Sequence, residues 1–82
     1  MITVLFFAQL REQLQCEKLN LALPADLTIT ALREQLIELH PTWLEFLTSD
    51  KLLFSVNQTL VKASHIIQDG DEVAFFPPVT GG

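Results

Sequence analysis

The chain contains no tyrosine, a single cysteine, and five basic side chains against ten acidic ones. Cys16 has no partner for an internal disulfide, and with only two histidines there is no ligand set at zinc or iron–sulfur spacing, so no metal is expected. Arg11, Lys18, Arg33, Lys51 and Lys62 form no basic stripe, and the net charge is −5. This excludes nucleic acid and anionic membrane as expected partners, and by overall charge a protein with a basic face fits better. No apolar run approaches the ~20 residues of a membrane span, and residues 1–7 carry no positive charge ahead of their apolar stretch, as a secretory signal would. The expectation is a soluble cytoplasmic protein. No repeat, low-complexity tract or linker precedes Pro77. A chain of 82 residues builds one core and buries roughly 60 to 65% of its unfolded surface, which leaves little room for a deep active site of its own.

What is present is apolar residues, 49% of the chain, in short periodic runs. Residues 2–7 are rich in β-branched and aromatic types and too short for an amphipathic helix, so they predict a strand with Ile2, Val4 and Phe6 on one face. Residues 8–14 predict a short helix with Leu10 and Leu14 four apart. Leu19, Leu21 and Leu23 alternate with Lys18, Asn20 and Ala22 in a half-buried strand that Pro24 ends. Thr28 suits an N-cap, and Ile29, Leu32, Leu36 and Leu39 form the stripe of the main helix, which Pro41 stops. Residues 42–47 predict a further turn packing Trp43 or Phe46 onto the core, and Ser49-Asp50 a chain reversal. Leu52, Phe54 and Val56 alternate in a third strand, turned by Asn57-Gln58 into Thr59–Val61. Asp69-Gly70-Asp71 leads into Glu72–Phe76, ended by Pro77-Pro78.

One amphipathic helix must cover one face of a mixed sheet and leave the other partly open. The expected architecture is α+β: a β-grasp, ubiquitin-like domain over residues 1–76, with a mixed five-stranded sheet, one main helix on one face, and a flexible extended tail over residues 77–82. In the last strand Glu72, Ala74 and Phe76 face outward while Val73 and Phe75 face the helix; Thr3, Leu5 and Phe7 face outward from the first. With those strands as neighbours, Phe7 and Phe76 meet on the helix-free face and Leu60 extends the patch, which marks an interface.

The tail, Pro77-Pro78-Val79-Thr80-Gly81-Gly82, is the segment most informative about chemistry. Prolines cannot continue a ladder, and six extended residues reach about 20 Å, enough to enter a pocket of another protein. Glycine lacks Cβ, so Gly81 and Gly82 pass through a channel too narrow for other residues. The functional group is then the α-carboxylate of Gly82. Two terminal glycines arise by chance in roughly one chain in 200 at ~7% glycine usage. Their weight comes from the stiff proline exit and the ubiquitin-like domain before them, which favour a carrier tail over a frayed end.

Three segments together resemble the small-subunit family of molybdopterin synthase: Val4-Leu5-Phe6-Phe7-Ala8 with Arg11-Glu12, Val56-Asn57-Gln58, and Asp69-Gly70-Asp71-Glu72-Val73-Ala74-Phe75-Phe76 running on through the tail to Gly82. The resemblance implies a sulfur carrier, itself non-catalytic, in a heterotetrameric complex whose catalytic residues lie on the large subunit. It implies that a ubiquitin-activating-like enzyme uses ATP to adenylate Gly82 and that a sulfur donor converts the adenylate to a thiocarboxylate. The tail then enters the large subunit and passes sulfur to cyclic pyranopterin monophosphate; no cofactor is held permanently. Alternatives are a carrier for thiamine synthesis, tRNA thiolation or protein tagging, and a ubiquitin-like binding module whose tail has no chemistry.

The other residues with chemical potential have plainer readings. Cys16 has only Lys18 as a nearby cation, too little to argue an activated thiolate, and reads as an inert small residue. Asp69, Asp71 and Glu72 lack calcium-loop spacing and belong to a turn around Gly70. Ser64-His65 has no orienting acid, and His40 sits at a helix end. Arg11, near the first strand, is a candidate to pair with an acidic residue of a partner, against the alternative of a solvated charge.

Overall fold

The structure is a computed structural model, and residues 1–22, 27–49 and 51–77 are described. Strand β1 (Ile2–Phe6) alternates buried Ile2, Val4 and Phe6 with half-buried Thr3 and Leu5. Helix α1 (Ala8–Leu14) buries Leu10 and Leu14 and ends at Gln15, which adopts left-handed backbone with φ 54°. Strand β2 (Lys18–Leu21) pairs antiparallel with β1. A short helix was expected between these two strands, at residues 8–14, and α1 is that helix. Its two buried leucines, Leu10 and Leu14, give the connection between β1 and β2 its own share of the core.

The segment β3 (Leu27–Thr28) feeds α2 (Ile29–Leu39), where the Thr28 hydroxyl accepts from the Ala31 N–H at 3.1 Å, capping one orphan donor of the first turn. Ile29, Leu32 and Leu36 are buried. Leu39 is not: it is 54% exposed, because the chain reverses at His40 and the 3₁₀ turn Pro41–Trp43 folds back beneath the helix end. Trp43 fills that end of the core, edge-on to Phe6 with centroids 5.4 Å apart, and α3 (Leu44–Leu47) adds buried Leu47.

Strands β4 (Leu53–Val56) and β5 (Thr59–Val61) form a hairpin. Asn57 and Gln58 have φ of 51° and 70°, the two positive values of a type I′ turn, which matches the right-handed twist of its strands. A short β6 (Ile66–Ile67) pairs with β3, a two-stranded ribbon absent from the sequence expectation. Strand β7 (Glu72–Phe76) lies parallel to β1 and antiparallel to β4. The sheet order is β2-β1-β7-β4-β5 with α2 over one face, the β-grasp architecture. The core centres on Phe75, fully buried, stacked on Phe6 at 5.8 Å and edge-on to Phe54 at 5.5 Å. Among the described residues no helix is long and apolar enough to cross a membrane.

Several assigned positions lie outside the described residues: Leu23 and Pro24 of the second strand, Asp50 of the reversal, and Pro78, Val79, Thr80, Gly81 and Gly82 of the tail.

Candidate functional site

Register fixes what the helix-free face presents. Leu5 opposes Lys18 on β2 and Ala74 on β7, Ala74 opposes Ser55, and Ser55 opposes Leu60. These residues form one transverse row, from Lys18 at one edge to Leu60 at the other. The next row toward the end of β7 holds Phe76 opposite Leu53, with Phe7 beside Phe76 at a centroid distance of 5.9 Å. The row on the other side is polar: Thr3 opposes Asn20 and Glu72, and its hydroxyl donates to Asn20 Oδ1 at 3.1 Å. The face is therefore graded, apolar where β7 ends and polar where it begins.

Several apolar side chains of this face reach water. Phe7 is 44% and Leu60 66% exposed, and Phe76 is half-buried. Ala74 and Ser55, at the middle of the face, are buried by the larger side chains around them. Two aromatic rings and a leucine facing water next to the last strand form an apolar surface that a chain this small does not leave uncovered without reason.

Phe7 is held by backbone as well as by its ring. Its N–H donates to Phe75 O at 3.2 Å, and its C=O accepts from the Arg11 N–H at 3.3 Å. Ala8, immediately after it, turns the chain with φ 55°. Arg11 thus sits one helical turn beyond Phe7, exposed, at the border of the patch. Leu53 was missed as a member of the patch by sequence reading. Its outward alternation was legible, but its place beside Phe76 depends on the β4–β7 register, which no local pattern carries.

The opposite end of the sheet is built for rigidity. The Asn57 side chain donates to Asp71 Oδ1 at 3.0 Å and accepts from the Glu72 N–H at 3.1 Å, while Asp71 Oδ2 accepts from the Gln68 N–H at 2.9 Å. The Asn57 N–H donates to Glu72 O at 2.8 Å, Gly70 turns with φ 90°, and the amino terminus pairs with Asp69. Asp69, Asp71 and Glu72 are a stapled turn, as their spacing suggested. A shallow groove of about 420 Å³ beside Val61, His65 and Ile66 belongs to this end, roughly 13 Å along β7 from Phe76.

The remaining candidates make local contacts within the domain. Cys16 is half-buried, and its thiol donates to the Lys18 carbonyl at 3.7 Å. His40 stacks on Trp43 at 4.0 Å, and the His65 C=O accepts from the Ile29 N–H at 3.1 Å, next to the start of α2.

The chain has clear relatives. The ThiS family matches residues 4–82. The molybdopterin synthase sulfur carrier subunit of Escherichia coli K12 is 52% identical over 83 aligned positions, covering 100% of both chains. Among solved structures, SAMP1 of Haloferax volcanii superposes with a TM-score of 0.83 at 24% identity, covering 99% of this chain and 98% of that one. A complex of subunits 1 and 2 of molybdopterin-converting factor from Helicobacter pylori contains a chain matching at TM-score 0.67 and 23% identity, covering 99% of this chain and 97% of that one.

Proposed function

This chain belongs to the ThiS family, and from that starting point we propose that it is the sulfur carrier subunit of a molybdopterin synthase, working through the carboxylate of Gly82. The observation that carries the reading is the position of the apolar patch. Phe76, the last residue of β7, is outward-facing and paired with Phe7, and the segment from Pro77 to Gly82 follows directly. A partner seated on Phe7, Leu60 and Phe76, with Arg11 at its border, receives the tail from a fixed origin.

The chemistry follows from the group available. A carboxylate resists nucleophiles because it lacks a leaving group, so one oxygen of Gly82 first attacks the α-phosphorus of ATP on a ubiquitin-activating-like enzyme and releases pyrophosphate. Sulfur delivered at the sulfide level then attacks the carbonyl carbon, AMP leaves, and the product is a thiocarboxylate. The large subunit takes up the tail, residues 77–82, and the thiocarboxylate sulfur bonds to a carbon of cyclic pyranopterin monophosphate as an oxygen substituent of that carbon leaves. Water cleaves the acyl–sulfur bond, leaving sulfur on the pterin and restoring the carboxylate. Gly81 and Gly82 keep this path narrow, so that larger chain ends are excluded. The side chains of this subunit position the tail; proton transfers belong to the large subunit, and no cofactor stays bound to the carrier.

The test is reconstitution. Carrier, activating enzyme, ATP and a sulfur source should yield a thiocarboxylated chain, and adding large subunit and pterin precursor should consume it with formation of the dithiolene. A thiocarboxylated carrier that leaves the precursor unchanged would assign it to another sulfur pathway.

A further inference from the structure

The net charge of −5 points to a basic partner, but the sheet distributes charge unevenly. Glu34 and Glu38 are exposed on α2 and Glu45 on α3. On the helix-free face, Glu72 is the one carboxylate that strand register places among the described residues, and it lies in the polar row, roughly 13 Å from Phe76. The ammonium groups lie elsewhere. Lys18 ends the row of Leu5 and Leu60. Extending the β4–β5 register by one residue, just past the end of β5, places Lys62 opposite Leu53, with β4 between it and Phe76. Because β4 and β7 are antiparallel with Leu53 opposite Phe76, Lys51 lies at the end of the sheet from which the tail departs. Lys18, Lys51 and Lys62 are all exposed, and none forms an ion pair among the described residues.

Cations bordering exposed aromatic rings in a protein with surplus carboxylates define the partner more closely than net charge does. We infer that the surface receiving this face is an apolar hollow rimmed by carboxylates, with acidic groups of the partner facing Lys51 and Lys62 on the β4–β5 side and Lys18 with Arg11 on the other. The inference rests on the docking reading above and adds the sign of the partner's rim. Charges on a solvated rim act mainly on the rate and orientation of encounter, while the buried rings hold the complex. The carboxylates Glu34 and Glu38 of α2 lie on the opposite side of the sheet and orient the carrier as it approaches.

The test is the association rate with the molybdopterin synthase large subunit, followed by stopped flow across a range of salt. The paired reversal Lys51→Glu with Lys62→Glu should slow association about 10-fold or more near 0.05 M salt, with the difference largely gone near 0.5 M. Both side chains are exposed, so thermal unfolding should not move, which checks the fold. An unchanged or faster rate for the reversed variant, or wild-type association that speeds up with salt, overturns the acidic rim. Phe76→Ala, measured alongside, separates the two levels: weakened binding there with no effect of the reversal refutes the rim and keeps the docking reading. Unchanged binding in both refutes the docking reading as well.

Discussion

Phe75 and Phe76 are consecutive and chemically identical, and the structure assigns them opposite roles. Phe75 is fully buried, stacked on Phe6 and edge-on to Phe54. Truncation to alanine removes the ring from a close-packed site, and the cost is about 3 to 5 kcal/mol. A domain of this size has a total stability of roughly 4 to 12 kcal/mol, so Phe75→Ala is expected to be largely unfolded at the unstable end of that range. Phe75→Leu keeps most of the volume and should cost about 1 to 2 kcal/mol, which provides a folded comparison. Phe76 is half-buried against Phe7, and its truncation opens no core cavity; the expected loss is about 1 kcal/mol, or roughly 4 to 8 °C in melting temperature. Its effect should instead appear in affinity for the large subunit, where an aromatic anchor contributes about 2 kcal/mol or more, near 30-fold in Kd. Urea unfolding and titration calorimetry on the three variants decide the matter. Equal destabilisation by Phe75→Ala and Phe76→Ala, with affinity unchanged in Phe76→Ala, would refute the face assignment.

Asn57→Ala should lower stability by about 2 kcal/mol, since it removes two side-chain hydrogen bonds to the β7 turn and puts alanine in left-handed backbone; chemical denaturation measures it. Gln15→Gly should raise stability by about 0.5 to 1 kcal/mol, because the end of α1 already requires φ 54° at that position, and thermal melting would show the gain. Gly81→Ala adds one methyl to the tail and should leave melting unchanged while slowing sulfur transfer about 100-fold, read in single-turnover assays. Normal turnover by that variant would mean that no narrow channel is involved.

Alternation carried most of the sheet into the sequence. Ile2, Val4 and Phe6, with Val73 and Phe75, repeat at period two, and that period alone sets which face each residue takes. The stripe of α2 was legible up to Leu36 and misleading at Leu39, because a helical period says nothing about where the following chain turns back to supply Trp43 instead. The β3–β6 ribbon was invisible, since two residues cannot display a period. Asn57-Gln58 was readable as a turn from its residue types, but its link to Asp71 is tertiary and has no local signal. Of the patch, Phe7, Leu60 and Phe76 could be placed by alternation once the first and last strands were taken as neighbours. Leu53 and the cationic border required the register itself.

Sulfur carried on the carboxylate of Gly82 is detected by the mass of the terminal peptide after incubation with activating enzyme, ATP and a sulfur source. A single oxygen-to-sulfur increment is expected on the peptide containing Gly82, at full yield in Cys16→Ser as in the natural chain, because the carrier group is the Gly82 carboxylate and not the half-buried Cys16 thiol. An increment on the peptide containing Cys16, or its loss in a folded Cys16→Ser, would contradict sulfur carriage on Gly82.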